Sequence, residues 1–242
     1  MIAQNNIELS LGGSPQIFAL EISRGRGRRN MTMRLKYPCI ISVSAPWGVS
    51  KAEILNFVRG NAKWVFEALK NLKKPVGLLE YLRENPQIFV GGKKLNVSFF
   101  NSRSVSGFWV ENIEKGEIVF AFSEEDAASF KNLFLRYAKE AVLKSVTCVA
   151  TEKNLGVPKI SVRDQRSRWA SRSSSGTMSF NWRILLLDSR LQKYIILHEF
   201  AHEKFMDHSV SFWIYLNRLI EGARRLDRLV SREGEKIFAI ER

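Results

Sequence analysis

All three histidines of the 242-residue chain fall within eleven consecutive residues, His198-Glu-Phe-Ala-His202-Glu-Lys-Phe-Met-Asp-His208. The segment is an H-E-x-x-H element with a further histidine six residues on. Side chains four apart on a helix share a face, so His198 and His202 can present two imidazoles to one ion. With His208 they would form a three-nitrogen set that suits Zn2+ and leaves one position for water. Glu199, beside the first histidine, can reach that water rather than the metal. The expected chemistry is hydrolysis. The ion lowers the pKa of its water, Glu199 takes the proton as general base, and the hydroxide attacks a polarised peptide carbonyl.

The third ligand has a competitor. The spacing of the three histidines superficially fits metzincins, but the glycine they place three residues after the second histidine is Phe205 here. Their downstream methionine turn is excluded as well, because Met206 is the last methionine of the chain. Gluzincins use a glutamate from a following helix, and Glu221 lies nineteen residues after His202. Their companion acid four residues later is Arg225, which favours His208 over Glu221. Asp207 is the expected site of the turn to His208, since Asp tolerates the left-handed backbone conformation. Asp188, Glu203 and Asp207 are candidate partners for the far ring nitrogens. Tyr194, one turn before His198, is read as packing or as an oxyanion donor.

These side chains need elements to hold them. Ile195, Ile196, Leu197, Phe200 and Ala201 surround the ligands in sequence, so their helix can be buried behind the metal. Asp188 or Ser189 caps that helix, and Ser209 caps the next, over 210–226. Residues 159–163 and 177–182 read as strands flanking a Ser/Arg-rich loop over 166–176. Ser123-Glu124-Glu125-Asp126 opens a long helix running to Asn154, where Gly156 and Pro158 stop it. Further upstream, 16–23, 31–37 and 39–45 read as strands, and the capping box at Ser50 and Glu53 starts a helix over 51–72 that ends at Lys73-Lys74-Pro75. Residues 87–90 with 95–100, and 107–111 with 117–122, read as hairpins. The expectation is an α+β chain without internal repeats. A β-rich region with one helix and an antiparallel sheet spans 1–122, and a helical region carrying the H-E-x-x-H element spans 123–242.

Composition narrows the setting. Hydrophobic residues make up 45% and charged residues 26%, as in globular proteins generally, which argues against disorder. No aliphatic run is long enough to span a bilayer, and the first residues carry no secretory signal pattern. Cys39 and Cys148 form no paired spacing and read as free thiols, consistent with a reducing, cytoplasmic, bacterial-type setting. The net charge of +14 includes clusters at Arg24, Arg26, Arg28 and Arg29, at Lys70, Lys73 and Lys74, and at Arg224, Arg225, Arg228 and Arg232. These allow nucleic-acid association or a solvated basic surface.

The residues His198–His202, His208-Ser209 and Phe212-Trp213 together resemble the YgjP-like metallopeptidase family, whose signature reads approximately HELxHxxxxNHSxxFW. Arg168-Trp169-Ala170-Ser171 is similar to that family's RWGS element, and Ser179-Phe180-Asn181 to the strand and asparagine after it. The resemblance covers most of the chain, with 163–213 its specific part, and extends more distantly to the SprT/Spartan proteases. Ala170 replaces a glycine, Arg172 stands where a cysteine is common, and Asp207 replaces an asparagine. The resemblance implies a zinc-dependent zincin-like core whose strand near 177–182 is an edge beside the catalytic helix. Such an edge aligns a substrate peptide by backbone pairing. Arg168 is a candidate for a substrate carboxylate or the oxyanion, or else pairs with an internal acid. Trp169 is expected to pack under the catalytic helix, and Phe212 and Trp213 beneath the metal. The leading expectation is a cytoplasmic zinc metallopeptidase acting on peptide or protein substrates, with Glu199 catalytic and His198, His202 and His208 as ligands. The alternatives are a zinc hydrolase of phosphorylated compounds and a nucleic-acid-associated protein with a structural zinc.

Overall fold

The computed structural model describes residues 5–240 apart from 12, 73, 103–106, 124–126 and 166. Expectations resting on Lys73, on Glu124 to Asp126, on Arg166 and on the first four residues lie outside the described residues. The chain falls into two compact units, Met1–Pro75 and Val76–Arg242. The sequence pattern suggested a division near 122, but strands before that point share a core with the helix after it, so contacts divide at 75 instead.

In the first unit, β1 (Asn5–Leu9), β2 (Gln16–Gly25), β3 (Thr32–Lys36) and β4 (Ile40–Pro46) form one sheet in the order β1-β2-β4-β3. The alternation of β4 buries Ile41, Val43 and Ala45 on one face. Those residues meet Phe18 and Leu20 of β2, and Ile54, Val58 and Val65 of the helices. The Ser50–Glu53 capping box is formed in both directions. The helix expected over 51–72 is two, α1 (Lys51–Gly60) and α2 (Ala62–Lys70). Between them Asn61 donates its Nδ2 to the Phe57 carbonyl (2.7 Å), competing with the backbone ladder.

The second unit repeats that connectivity without repeating its sequence. After a short helix, α3 (Leu78–Glu84), come β5 (Gln87–Val90), β6 (Lys93–Asn101), β7 (Phe108–Asn112) and β8 (Glu117–Phe122), ordered β5-β6-β8-β7. In both sheets the central pair is parallel and the outer pairs antiparallel, where a purely antiparallel sheet was expected. A third strand crossing over to return as a hairpin produces this arrangement, which side-chain alternation alone does not reveal.

Long α4 (Ala127–Glu152) lays Phe130, Phe134 and Tyr137 against Phe120 of β8, with ring centroids 5.4–5.7 Å apart. Its end is a Schellman motif. Asn154 has φ 51°, Asn154 N–H donates to Thr151 O (3.1 Å), and Leu155 N–H donates to Ala150 O (2.8 Å). A small sheet follows, from β9 (Ile160–Arg163), β10 (Ala170–Arg172) and β11 (Met178–Asn181), ordered β10-β11-β9. After a 3₁₀ turn over Trp182–Leu186, α5 (Ser189–Ala201), α6 (Val210–Leu219) and α7 (Ala223–Ile237) complete the unit. The helix expected over 210–226 is interrupted at Gly222, whose φ of 75° separates α6 from α7. The fold is α+β. No helix among the described residues is long and apolar enough to cross a membrane.

Arg183 in the 3₁₀ turn is 2% exposed. It pairs with Asp164, donates to the Ile240 carbonyl from Nη2 (2.7 Å), and lies 4.2 Å over the Trp182 ring. Removing one partner of such a set leaves buried groups unsatisfied. Arg183→Met is therefore expected to cost about 3 kcal/mol of stability in urea unfolding. A loss under about 1 kcal/mol would show that the pairing contributes little.

Candidate metal centre

The helix that carries the first two histidines is fastened at its start. Asp188 caps α5, accepting the amides of Arg190 (2.9 Å) and Leu191 (3.0 Å). Gln192 is buried and donates its Nε2 to the carbonyls of Phe89 (2.8 Å) and Leu187 (3.1 Å). With this end held, Ile195, Ile196, Leu197, Phe200 and Ala201 are buried, and His198 and His202 emerge from the same side of the helix.

His202 is the C-cap residue, and the chain leaves the helix through tightened turns, with Glu203 N–H to Phe200 O (3.0 Å) and Phe205 N–H to Ala201 O (3.1 Å). Asp207 was expected to supply a left-handed turn. Among the described residues only Asn154 has positive φ outside glycine, so successive tight turns bring the chain round without one. Ser209 then caps α6, accepting from Phe212 N–H (3.5 Å).

This path brings the three histidines together. His198 Nε2 lies 3.2 Å from His202 Nε2 and 3.0 Å from His208 Nε2. Phe212, fully buried, contacts all three rings at centroid distances of 4.8–5.0 Å and gives the cluster an apolar floor. Glu221, the competing ligand, is exposed in the turn before α7 and is not part of the group that could hold a metal.

The far ring nitrogens settle the tautomers of the two helical histidines. His202 Nδ1 faces the Phe205 carbonyl at 2.9 Å. A carbonyl only accepts, so Nδ1 carries the proton and Nε2 keeps its lone pair. His198 Nδ1 lies 3.3 Å from the Tyr194 hydroxyl, whose proton goes to Asp227 Oδ1 at 2.8 Å. The tyrosine oxygen therefore accepts from His198, whose Nε2 is likewise unprotonated. Burial, and then the charges of His202 and His208, push His198 down to about 3, and burial lowers His202 as well. Both imidazoles are thus neutral in water near pH 7.

Two lone pairs at 3.2 Å repel unless a cation takes them both. Tetrahedral zinc with Zn–N near 2.0–2.1 Å separates its nitrogen ligands by roughly 3.3 Å, so the donors present fit such an ion.

Glu199 follows His198 directly on α5. It is 6% exposed, and its Oε2 is buried with no hydrogen-bond partner among the described residues. Burial pushes its carboxyl up to about 7, against the opposing charge of Arg172. Arg172 ends β10, with Nη2 3.6 Å from Glu203 Oε2 and Nη1 buried without a partner among the described residues. Sequence spacing gave no sign of this arginine's position, because β10 falls in what reads as a loop. Arg168, the residue singled out instead, is exposed and makes no ion pair with an internal acid among the described residues. Its backbone carbonyl accepts from the buried Asn181 (3.1 Å), which steadies the approach to β10. Trp169 packs on Phe238 (4.4 Å), just past α7, rather than under α5. The edge strand beside α5 is β10, since β11 is central in its sheet.

The model of the YgjP-like metallopeptidase domain matches residues 29–233. The chain belongs to the YgjP-like family. Among solved structures, the metallopeptidase zymogen jannalysin of Methanocaldococcus jannaschii is 21% identical over 38% of this chain and 95% of that one, with a TM-score of 0.34. The zymogen abylysin of Pyrococcus abyssi is 26% identical over 41% of this chain and 90% of that one, with a TM-score of 0.29. No curated protein matches the chain.

In this YgjP-like metallopeptidase the support behind the histidines comes from positions that proximity in sequence did not favour. Asp188 is spent on the helix cap and Glu203 on Arg172, while Asp227 of α7 reaches His198 through Tyr194. Tyr194→Phe removes only the oxygen that links them. It is expected to weaken metal binding by about ten- to a hundred-fold in competition with a chelator, with an unchanged melting temperature. Unchanged metal affinity would reduce Tyr194 to packing.

Proposed function

We propose that His198, His202 and His208 hold a zinc ion through their Nε2 atoms, and that Glu199 is the general base of a zinc metallopeptidase. One observation carries it: three imidazole nitrogens converge, two of them fixed as lone-pair donors, and the residue next to His198 in the chain is a buried carboxyl with an unpartnered oxygen. When bound, the ion would supply Lewis acidity, polarising the scissile carbonyl and acidifying water.

The chain's own residues do the rest. Glu199 Oε2 accepts a proton from the attacking water and returns it to the leaving amine nitrogen. A carboxyl pushed to about 7 by burial can hold that proton between the two transfers near neutral pH. Arg172 opposes that burial and keeps the carboxyl from being neutralised outright. Asp227 and Tyr194 orient His198, the Phe205 carbonyl orients His202, and Phe212 excludes water from beneath the rings. The open edge of β10 offers backbone groups to an extended peptide. The unpaired thiols of Cys39 and Cys148 support a reducing, cytoplasmic setting.

The test is metal analysis of the purified protein together with hydrolysis of a peptide library before and after chelation. Stoichiometric zinc is expected, with cleavage lost on chelation and restored by zinc. Undiminished cleavage by metal-free protein would overturn it.

A further inference from the structure

Three arginines that this mechanism leaves unused line a groove of about 490 Å³ between α6 and α7. Val210, Trp213 and Ile214 form its apolar side, and Arg218, Arg224 and Arg225 its charged side. Val210 is 71% and Ile214 52% exposed, so the apolar side is open to a ligand. No lining residue is acidic. None of the three guanidiniums has an ion-pair partner among the described residues.

One lining residue, Trp213, connects the groove to the histidine cluster. The Trp213 ring lies 6.2 Å from the His208 ring, and the Arg224 guanidinium lies 4.5 Å over Trp213. Asn217 Oδ1 accepts from Gly222 N–H (3.0 Å) and Ala223 N–H (3.2 Å), which holds the turn that delivers Arg224 and Arg225.

Like charges gathered in one concavity repel, and with no acid in the lining an acidic ligand would supply favourable counter-charge. Guanidinium edges suit carboxylates in bidentate geometry. Nucleic-acid bases would instead need free aromatic faces, and Arg224 covers one face of Trp213.

We propose that this groove is a substrate subsite in which Arg218, Arg224 and Arg225 bind acidic side chains of the peptide flanking the bond to be cut. The inference rests on the peptidase reading of the histidine centre.

Two arms test it. In the first, a fluorescein-labelled peptide with a run of glutamates is titrated onto zinc-loaded Glu199→Gln protein, beside its alanine-matched counterpart and a single-stranded oligonucleotide. Replacing Arg218, Arg224 and Arg225 together with Gln is expected to weaken binding of the acidic peptide about ten-fold or more. Replacing Arg24, Arg26 and Arg29 removes the same charge from the first unit and is expected to leave that binding unchanged. An equal loss in both variants, no loss in either, or tighter binding of the oligonucleotide overturns the subsite. In the second arm, wild-type kcat/KM is expected to favour the acidic peptide over the neutral one, with that preference falling about ten-fold in the Gln triple variant and partly restored by Lys at the same positions. A preference that survives the triple variant also overturns it. Should the wild type cleave neither peptide, the peptidase reading fails, while the binding arm still decides the groove.

Discussion

Glu199→Gln is expected to yield a folded, metal-binding protein whose peptide turnover falls by about a thousand-fold or more. Gln matches Glu in size and cannot accept the proton of the attacking water, and losing a positioned general base costs about 10²–10⁴ in rate. The substitution is structurally mild. Glu199 is 6% exposed, and its carboxyl is pushed up to about 7 by burial, so the surroundings already accommodate an uncharged side chain. The cleanest comparison loads wild type and variant with equal zinc, confirms equal melting temperatures, and measures kcat on one cleavable peptide. Retention of more than about a tenth of the wild-type rate would sink Glu199 as the base.

The second large effect is the loss of metal on replacing any one histidine. His208→Ala is the sharpest version, because His208 is exposed in the loop before α6 and its removal disturbs little packing. Metal affinity is expected to fall by more than about a hundred-fold, beyond what altered support behind a ligand produces. Activity should fall with it, and thermal stability of the metal-free proteins should stay equal. Glu221→Ala serves as the counter-test and should keep stoichiometric metal. A protein that loses its metal through Glu221→Ala and keeps it through His208→Ala would reverse the ligand assignment. His198→Ala should be costlier to the fold, since its ring lies between Tyr194 and Phe212.

Much of the scaffold was legible locally. The Ser50–Glu53 box, the Asp188 and Ser209 caps and the end of α4 at Asn154 depend on hydrogen bonds within a few residues, and spacing reveals those. The division of the chain was not. Residues 87–122 look like a continuation of the strands before them, yet Ile118 and Phe120 are buried against Phe130 and Phe134 of α4, and apolar alternation does not name the partner it packs against. The parallel central pair of each sheet escaped for the same reason, because parallel and antiparallel neighbours bury the same side chains.

For the site, the sequence by itself determined the donors. Three imidazoles within eleven residues, two of them a helical turn apart and a carboxyl directly after the first, select nitrogen ligation and a nearby base whatever the rest of the chain does. Helical geometry fixes that much because it acts over four residues. Only the tertiary structure decided what governs those groups. Asp227 of α7 reaches His198 through Tyr194, Arg172 of β10 offsets the burial of Glu199, and Phe212 closes the floor. Asp227 lies 33 residues beyond the Tyr194 it holds. The proximity of these partners arises from burying α5 among its neighbours, an energy summed over the whole core and carried by no local pattern.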